Sequence, residues 1–416
     1  MSKLINNPNK YRTIAIWSLR LLIGATFILS GLSKAIDLWG FIYKIEQYLH
    51  VWNIDVTESV IVLTAAAISS VEFIAGLHLA TGSYKRVSPI LLLLFMTVML
   101  PLSLYIAIAN PVDDCGCFGD LWIISNSATC IKNFLLTAGL IFLYRNNQKT
   151  SGLYRPSLQW LQSVTIIAYI ITISIVGYRV QPLLDFRNYK EGTPLVQTEY
   201  SENNPVFSYV YEKNGIRKKY DETNLPDSSW TFIDREDISD NTHHAVSSII
   251  IYDDNDEDVT ETAIATTGEQ LILLIPDIKH ADIANTYLIN ELNSYITSQG
   301  GSMIGIIATE TEYIDLWRDI SMANYPIYTA EDTSLKEIAR GSISIIYLYD
   351  GIIQWKRTIS SINIDKLHLD TGNALSSLHP NGKEHFRTLT LTLLLLLLIL
   401  LLVDKSQTTV KKFLCR

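Results

Sequence analysis

Apolar residues gather into six long runs along the chain, at 14–36, 60–79, 87–109, 128–143, 161–178 and 389–403. A helix crossing a bilayer needs about 20 such residues, or slightly fewer, so each run predicts a membrane span. The last is only 15 residues long, and a buried core helix is its alternative reading. A basic tail directly behind a run of leucines favours the anchor. The first run is too long for a signal peptide, has no small-residue cleavage site after it and is followed by further spans, so it reads as a signal anchor.

Between the fifth and sixth runs the pattern shortens. Segments 207–211 and 216–220 flank Asn214-Gly215 and predict a β-hairpin on a two-residue turn. A further strand is expected at 247–252. From residue 270 the order becomes strand, helix, strand, helix, helix and a strand pair. The expected strands are 270–275, 303–308, 344–349 and 352–355, and the expected helices are 281–298, 313–321 and 334–339. The fold class is therefore a multi-pass α-helical membrane protein carrying an α/β domain between its last two spans.

Charge orients this arrangement. Lys3, Lys10 and Arg12 precede the first span; Lys85 and Arg86 follow the second; Arg145, Lys149 and Arg155 follow the fourth; Lys405, Lys411, Lys412 and Arg416 follow the sixth. Residues 37–59 hold only Lys44, and residues 110–127 hold no Lys or Arg. By the positive-inside rule both termini face the cytoplasm, and residues 180–388 face outward. For a bacterial inner membrane, that side is the periplasm. The outward block holds 33 Asp/Glu against 16 Lys/Arg, a net of −17, while the rest of the chain nets +8. That split excludes a single soluble domain. Nucleic-acid binding is excluded by the lack of a Lys/Arg cluster with interleaved aromatics.

The chemistry concentrates in one outward loop, Asn110-Pro-Val-Asp113-Asp114-Cys115-Gly116-Cys117-Phe118-Gly119-Asp120. Asn-Pro stops the preceding helix, and the glycines imply a defined turn. Two cysteines one residue apart, in a disulfide-permissive compartment, would form a strained and therefore labile disulfide, suited to electron exchange. A metal site is the competing use, but two thiolates without a nearby His fall short of four ligands. Purely structural use remains open. Cys130, near the start of the fourth span, is a candidate resolving thiol or simply a packed hydrophobe. Cys415 falls on the other side of the membrane.

Charges within the spans mark functional or paired positions. Arg20 and Glu72 fall at similar depth if each is counted from the cytoplasmic end of its apolar run. This predicts an Arg20–Glu72 ion pair, serving either to hold the bundle together or in a quinone or proton role. Lys34 and Lys132 are expected to snorkel towards the interface, with Lys34 near enough to the loop to lower a thiol pKa. The acidic run Asp253–Asp258 lacks the spacing of a calcium loop and reads as solvated. His243, His244 and His280 read as surface residues.

These residues carry a resemblance. Arg20, Gly24, Phe27, Ser30, Gly31 and Lys34 in the first span, Glu72, Gly76 and Gly82 in or beside the second, and the Cys115-Gly-Cys-Phe-Gly119 loop together resemble the DoxX-like membrane proteins. The loop is most similar to the MauE branch, named for methylamine utilisation. The likeness spans roughly residues 10–145. It implies a four-helix, periplasm-facing, redox-associated module, linked in the MauE case to maturation of a disulfide-rich partner. The later α/β segment resembles the thioredoxin fold without its chemistry. Pro276-Asp-Ile-Lys-His280 stands where active members carry Cys-x-x-Cys, and Gly341-Ser-Ile343 stands where they carry a proline.

The expected division is a four-helix membrane domain over 1–148, a fifth span over 149–180, an acidic hairpin region over 181–262, a redox-dead thioredoxin-like domain over 263–372 and a final span with basic tail over 373–416. Two functions fit it. In the first, Cys115 and Cys117, with Cys130 as a possible third thiol, exchange electrons with a periplasmic protein partner, and a quinone is the candidate cofactor at Arg20 and Glu72. In the second, the bundle is a non-catalytic scaffold that presents the outer domain for assembly of an envelope complex.

Overall fold

The computed structural model describes residues 8–414 apart from 113, 197–206, 214–215, 222–224, 227–229, 238–248, 279–280, 282, 309–310 and 364–373. Asp113, Asn214, Gly215, His243, His244, His280 and Cys415, all singled out in the sequence, lie outside the described residues.

Six helices are long and apolar enough to cross a membrane, and they imply a bilayer environment. Four make a bundle: α1 (Pro8–Ile36), α3 (Glu58–Thr81), α4 (Val87–Ala109) and α5 (Asn126–Asn146). Between α1 and α3 lies α2 (Leu38–Val51), a helix the sequence reading left as loop. Asp37 caps it by accepting from the Gly40 amide at 2.9 Å, and it buries Leu38, Trp39 and Ile42. The other two long helices, α6 (Pro156–Arg179) and α11 (Gly382–Leu414), pack side by side against the bundle. The Tyr169 and Thr390 hydroxyls lie 2.9 Å apart across that seam, and Arg155 pairs with Asp404 at 2.7 Å near its far end. The expected 15-residue last span thus extends to a 33-residue helix.

Lipid gives apolar side chains no reason to leave it, so helices in a membrane associate through close backbone approach. Glycines provide that approach between α1 and α3. A Cβ on Gly31 would stand 2.5 Å from the Phe73 backbone nitrogen, and one on Gly76 would stand 2.9 Å from that of Ile28. Gly31→Val is therefore expected to force the helices apart and cost about 3 kcal/mol or more, read as a fall in thermal midpoint of the detergent-purified protein.

The remaining elements are β1 (Phe207–Lys213), β2 (Ile216–Asp221), β3 (Thr231–Asp237), α7 (Thr260–Ala263), β4 (Glu269–Ile275), α8 (Thr286–Ser298), β5 (Ser302–Ile307), α9 (Thr311–Ser321), β6 (Ile327–Thr329), α10 (Asp332–Ile338), β7 (Ser344–Tyr349) and β8 (Ile352–Thr358). The expected hairpin is β1–β2, paired from Lys213–Ile216 outward, and β3 completes a small antiparallel sheet in the order β2-β1-β3. The second sheet runs β6-β5-β4-β7-β8. Its β4–β5 and β5–β6 pairs are parallel, and its β4–β7 and β7–β8 pairs are antiparallel. In β4 every residue of Gln270–Ile275 is buried, as befits a central strand covered on both faces. Leu271, Leu273 and Trp355 face α8 and α9; Ile272, Leu274 and Ile346 face α10 together with Ile249 and Ile251.

Two local expectations need correcting. The strand expected over 247–252 does not form a ladder: residues 247 and 248 are not described, and Tyr252 makes single bridges to Asp258 and Thr329. The helix expected from Ala281 begins as α8 only at Thr286, after a short 3-10 turn over Ile283–Asn285.

Candidate functional site

The α4–α5 loop folds tightly because its sequence leaves few alternatives. Asn110 ends α4 in a left-handed conformation (φ 44°). The Asn126 amide bridges back to the Asn110 side chain at 2.7 Å and to the Val112 carbonyl at 3.0 Å, which ties the two ends of the loop together. Gly116 sits at φ +65°, where a side chain is strained, and a Cβ there would lie 2.8 Å from Lys44 Cγ. Its amide donates to Asp114 Oδ1 at 2.6 Å, while Lys44 of α2 reaches Asp114 Oδ2 at 3.4 Å.

This geometry brings the Cys115 and Cys117 sulfurs to 3.1 Å. Cys115 is buried among Ile106 and Val112, with Tyr48 donating to its carbonyl at 3.2 Å. Cys117 is less enclosed. The two thiols differ in acidity. Either sulfur can donate across this contact; with the proton on Cys115, that hydrogen bond and the positive charge of Lys132 and Lys34 hold Cys117 below the usual cysteine range despite burial. The same hydrogen bond, together with burial, pushes Cys115 well above that range. Because the thiolate is the reactive form, alkylation of Cys117 by iodoacetamide is expected to reach half its maximal rate below the pH of about 8.5 typical of a free cysteine. Lys132→Met is expected to move that midpoint upward.

Beneath the loop lies a buried ionic group. Lys34 Nζ contacts Glu72 Oε2 at 2.7 Å and Oε1 at 3.0 Å, with both side chains only 2 % exposed. Lys34 also donates to Ser30 Oγ at 2.9 Å. The single Ser30 proton then has two acceptors in reach, Glu72 Oε2 at 2.9 Å and the Cys117 carbonyl at 2.7 Å. One hydroxyl thus links the buried pair to the cysteine loop.

The expected Arg20–Glu72 pair is therefore not formed. Arg20 binds Asn147 Oδ1 at 2.5 Å, the Asn147 carbonyl at 3.0 Å and the Ser151 carbonyl at 3.0 Å, at the opposite end of the bundle. The packing register of the two helices, with Gly24 against Ala80 and Gly31 against Phe73, sets Arg20 level with Gly82 rather than Glu72. Nor does Lys34 snorkel. The quinone expectation fits poorly too: the cavity reached by Glu72 and Cys117 is about 20 Å³, the room of one water. Cys130, in the first turns of α5, makes no hydrogen bond or disulfide with either loop cysteine. Among the described residues no cluster of three or more His, Cys, Asp or Glu could hold a metal. Asp253 accepts from the amides of Asn255 and Glu257, which accounts for the acidic run as a self-capped turn.

Sequence reasoning also missed a clamp from the α/β domain. Arg340, 6 % exposed, reaches Asp37 at 2.8 Å and Asp120 at 2.5 Å, and stacks over the Tyr43 ring at 5.5 Å. Its backbone is fixed by Gln181, which donates to the Arg340 carbonyl and accepts from its amide. Burial opposes charge on Asp37, but Arg340 outweighs it and holds that carboxyl below its usual range. Asp120 is pushed up by burial and by neighbouring Asp37, against the pull of Arg340. One guanidinium thus ties three segments together: the α1–α2 junction, the turn after Cys117 and the start of β7. Beside it, a cleft of about 1140 Å³ opens between α2, Leu121–Ile123 and α10, with Lys44, Trp122 and Lys336 on its walls.

The four-helix bundle with its Cys-Gly-Cys loop is the part of the chain that matches something known. Residues 12–145 match the family model of methylamine utilisation protein MauE. The MauE-like portion contains every residue of the Lys34–Glu72–Ser30 group, both loop cysteines and the Asp37 and Asp120 that receive the clamp; Arg340 itself lies outside it. Residues 205–239, which include β1, β2 and β3, match a domain of unknown function, DUF8463. Nothing among the curated proteins matches the chain.

Proposed function

We propose that this membrane protein exchanges thiol and disulfide electrons with a protein partner through Cys115 and Cys117. The observation that carries the reading is the pair of sulfurs 3.1 Å apart with opposite shifts in acidity. Starting from the dithiol, the Cys117 thiolate attacks a partner disulfide, forms a mixed disulfide and releases one partner thiolate. Cys115 then gives its proton to that thiolate and attacks the Cys117 sulfur, freeing the second partner sulfur. The partner gains two electrons and the loop loses two as its disulfide forms. The steps run equally well in reverse, which matures a partner dithiol to a disulfide.

Lys34 and Lys132 supply the positive charge that favours a thiolate at Cys117, and the cleft beside Asp120 is where the partner docks. The positive-inside pattern supports an orientation with both termini cytoplasmic and this end of the bundle outward, which in a bacterial inner membrane is the periplasm. The β4–β8 domain, with its βαβ unit and terminal strand pair, is proposed to be thioredoxin-like, redox-dead and used for presentation. The Arg340 clamp, which seats that domain on the loop, also favours the second reading, a scaffold in which the loop is only a rigid staple.

Thiol trapping separates the two. Acid-quenched membranes labelled with a mass-adding maleimide should show the Cys115–Cys117 pair partly oxidised, in a ratio that shifts with respiratory conditions. A pair locked in one state under all conditions would leave the scaffold.

A further inference from the structure

The largest cavity away from the cysteine loop lies where α6 and α11 meet the α/β domain. It measures about 840 Å³, within the range of small-molecule sites. Its lower wall is made by Val176 of α6 and Leu389 of α11, with Leu183 beside them. Its upper wall is made by Lys190, Arg357 and Lys383. The apolar part is thus level with membrane-crossing helices and the cationic part sits just beyond their ends.

The charges on the upper wall do not cancel. Glu191 is engaged by His379 at 3.1 Å, and Asp185 by Arg187 at 2.8 Å and Lys356 at 2.6 Å. Arg357 has no carboxylate partner among the described residues. Its Nε donates to Ser361 Oγ at 3.1 Å, Nη1 to the Leu378 carbonyl at 2.8 Å and Nη2 to the Ser361 carbonyl, and all three acceptors are neutral. A half-buried guanidinium held by neutral acceptors leaves its charge uncompensated at the cavity wall. Lys190 and Lys383 add two exposed cations, so that with Arg357 three cations stand against the two carboxylates of Glu191 and Glu384, the first held by a histidine that carries charge only when protonated. The first turn of α11 contributes the positive end of its dipole. Towards the bilayer, α11 leaves Leu391, Leu394, Leu395 and Leu398 exposed, so an apolar chain leaving the cavity meets a continuous greasy flank.

We infer that this cavity binds an anionic amphiphile, a phosphate-bearing lipid whose headgroup lies against Arg357, Lys190 and Lys383 and whose chains run down the α6–α11 seam. The shared chemistry is a phosphate anion; the apolar wall selects the version of it that carries acyl chains. Bound there, the lipid bridges the last span and the α/β domain, at a place distinct from the cysteine loop.

Native mass spectrometry of the full chain in detergent tests this with dioctanoylphosphatidylglycerol, dioctanoylphosphatidylcholine and glycerol phosphate as probes. Wild type should retain one phosphatidylglycerol per chain in clear preference to phosphatidylcholine. Lys190→Gln with Lys383→Gln alters two exposed side chains that make no hydrogen bond or ion pair among the described residues, and should weaken retention about tenfold or more, as loss of charge-assisted contacts does. Arg357→Gln should weaken it further; an unchanged thermal midpoint would show that the fold survives. Equal retention of phosphatidylcholine, unchanged binding in the double variant, or competition by glycerol phosphate at the same concentration as the lipid would each overturn the inference.

Discussion

Leucine in place of Glu72 is expected to destabilise the protein by about 3–5 kcal/mol, because it strands the Lys34 ammonium in the bundle without a counter-charge. Both members of this pair are 2 % exposed and belong to helices packed backbone to backbone, and the adjoining cavity of about 20 Å³ holds one water at most, too little to solvate a bare ammonium. The double variant Lys34→Met with Glu72→Leu should recover most of that loss, since it removes both desolvation costs together. Thermal unfolding of the three variants in detergent reads the difference. If the double variant is as unstable as the single, the pair is not the seat of the effect. Ser30→Ala is the milder control: it removes a hydroxyl between two acceptors and should cost about 1 kcal/mol.

The second large effect concerns the cysteines, which should not be equivalent. Cys117→Ser removes the sulfur held as thiolate, and exchange with a partner disulfide should be abolished with no covalent adduct formed. Cys115→Ser keeps the attacking sulfur and removes the one that resolves the mixed disulfide, so it should accumulate a partner-linked species cleaved by dithiothreitol. Non-reducing electrophoresis of alkylated membranes distinguishes the two. Identical behaviour of both variants would contradict the asymmetry argued from the Cys115–Cys117 hydrogen bond and the nearby lysines. The direction of the acidity difference is set locally, so it should persist when the α/β domain carries Arg340→Gln.

Much of this was legible in the chain. Six apolar runs yield six helices, and the alternation after residue 270 yields β4, β5, β7 and β8 within a residue or two at most ends, since buried strands announce themselves by unbroken Ile and Leu. Strand β6 escaped because three residues cannot establish a period. Helix α2 escaped because its polar face hides a short apolar stripe; Asp37 followed by Leu38, Trp39 and Ile42 was the available signal. The cysteine loop was plain from Cys-Gly-Cys, yet its surroundings were not. Ser30 and Lys34 are four residues apart and so share a helix face, a signal that the expectation of a snorkelling Lys34 passed over. Counting depth from apolar boundaries named Arg20 as the partner of Glu72, because it assumed that the two apolar runs begin at the same level, whereas Gly24 meets Ala80 and Gly31 meets Phe73, so the first residues of the α1 run lie past the end of α3. Arg340 could not be found at all from sequence, since its contacts to Asp37 and Asp120 span 303 and 220 residues and leave no local trace.

That long reach bears on how the protein is made. Arg340 is synthesised 220 residues after Asp120, which at about 5–20 residues per second amounts to roughly 10–45 s of translation. During that interval the bundle is threaded into the bilayer with its cysteines in place while the clamp does not yet exist. The newborn loop is therefore open to whatever oxidants and thiols its compartment holds, and it gains its final surroundings only when the last third of the chain has been made and folded. A chain cut short before β7 would keep the reactive pair and lose its cover.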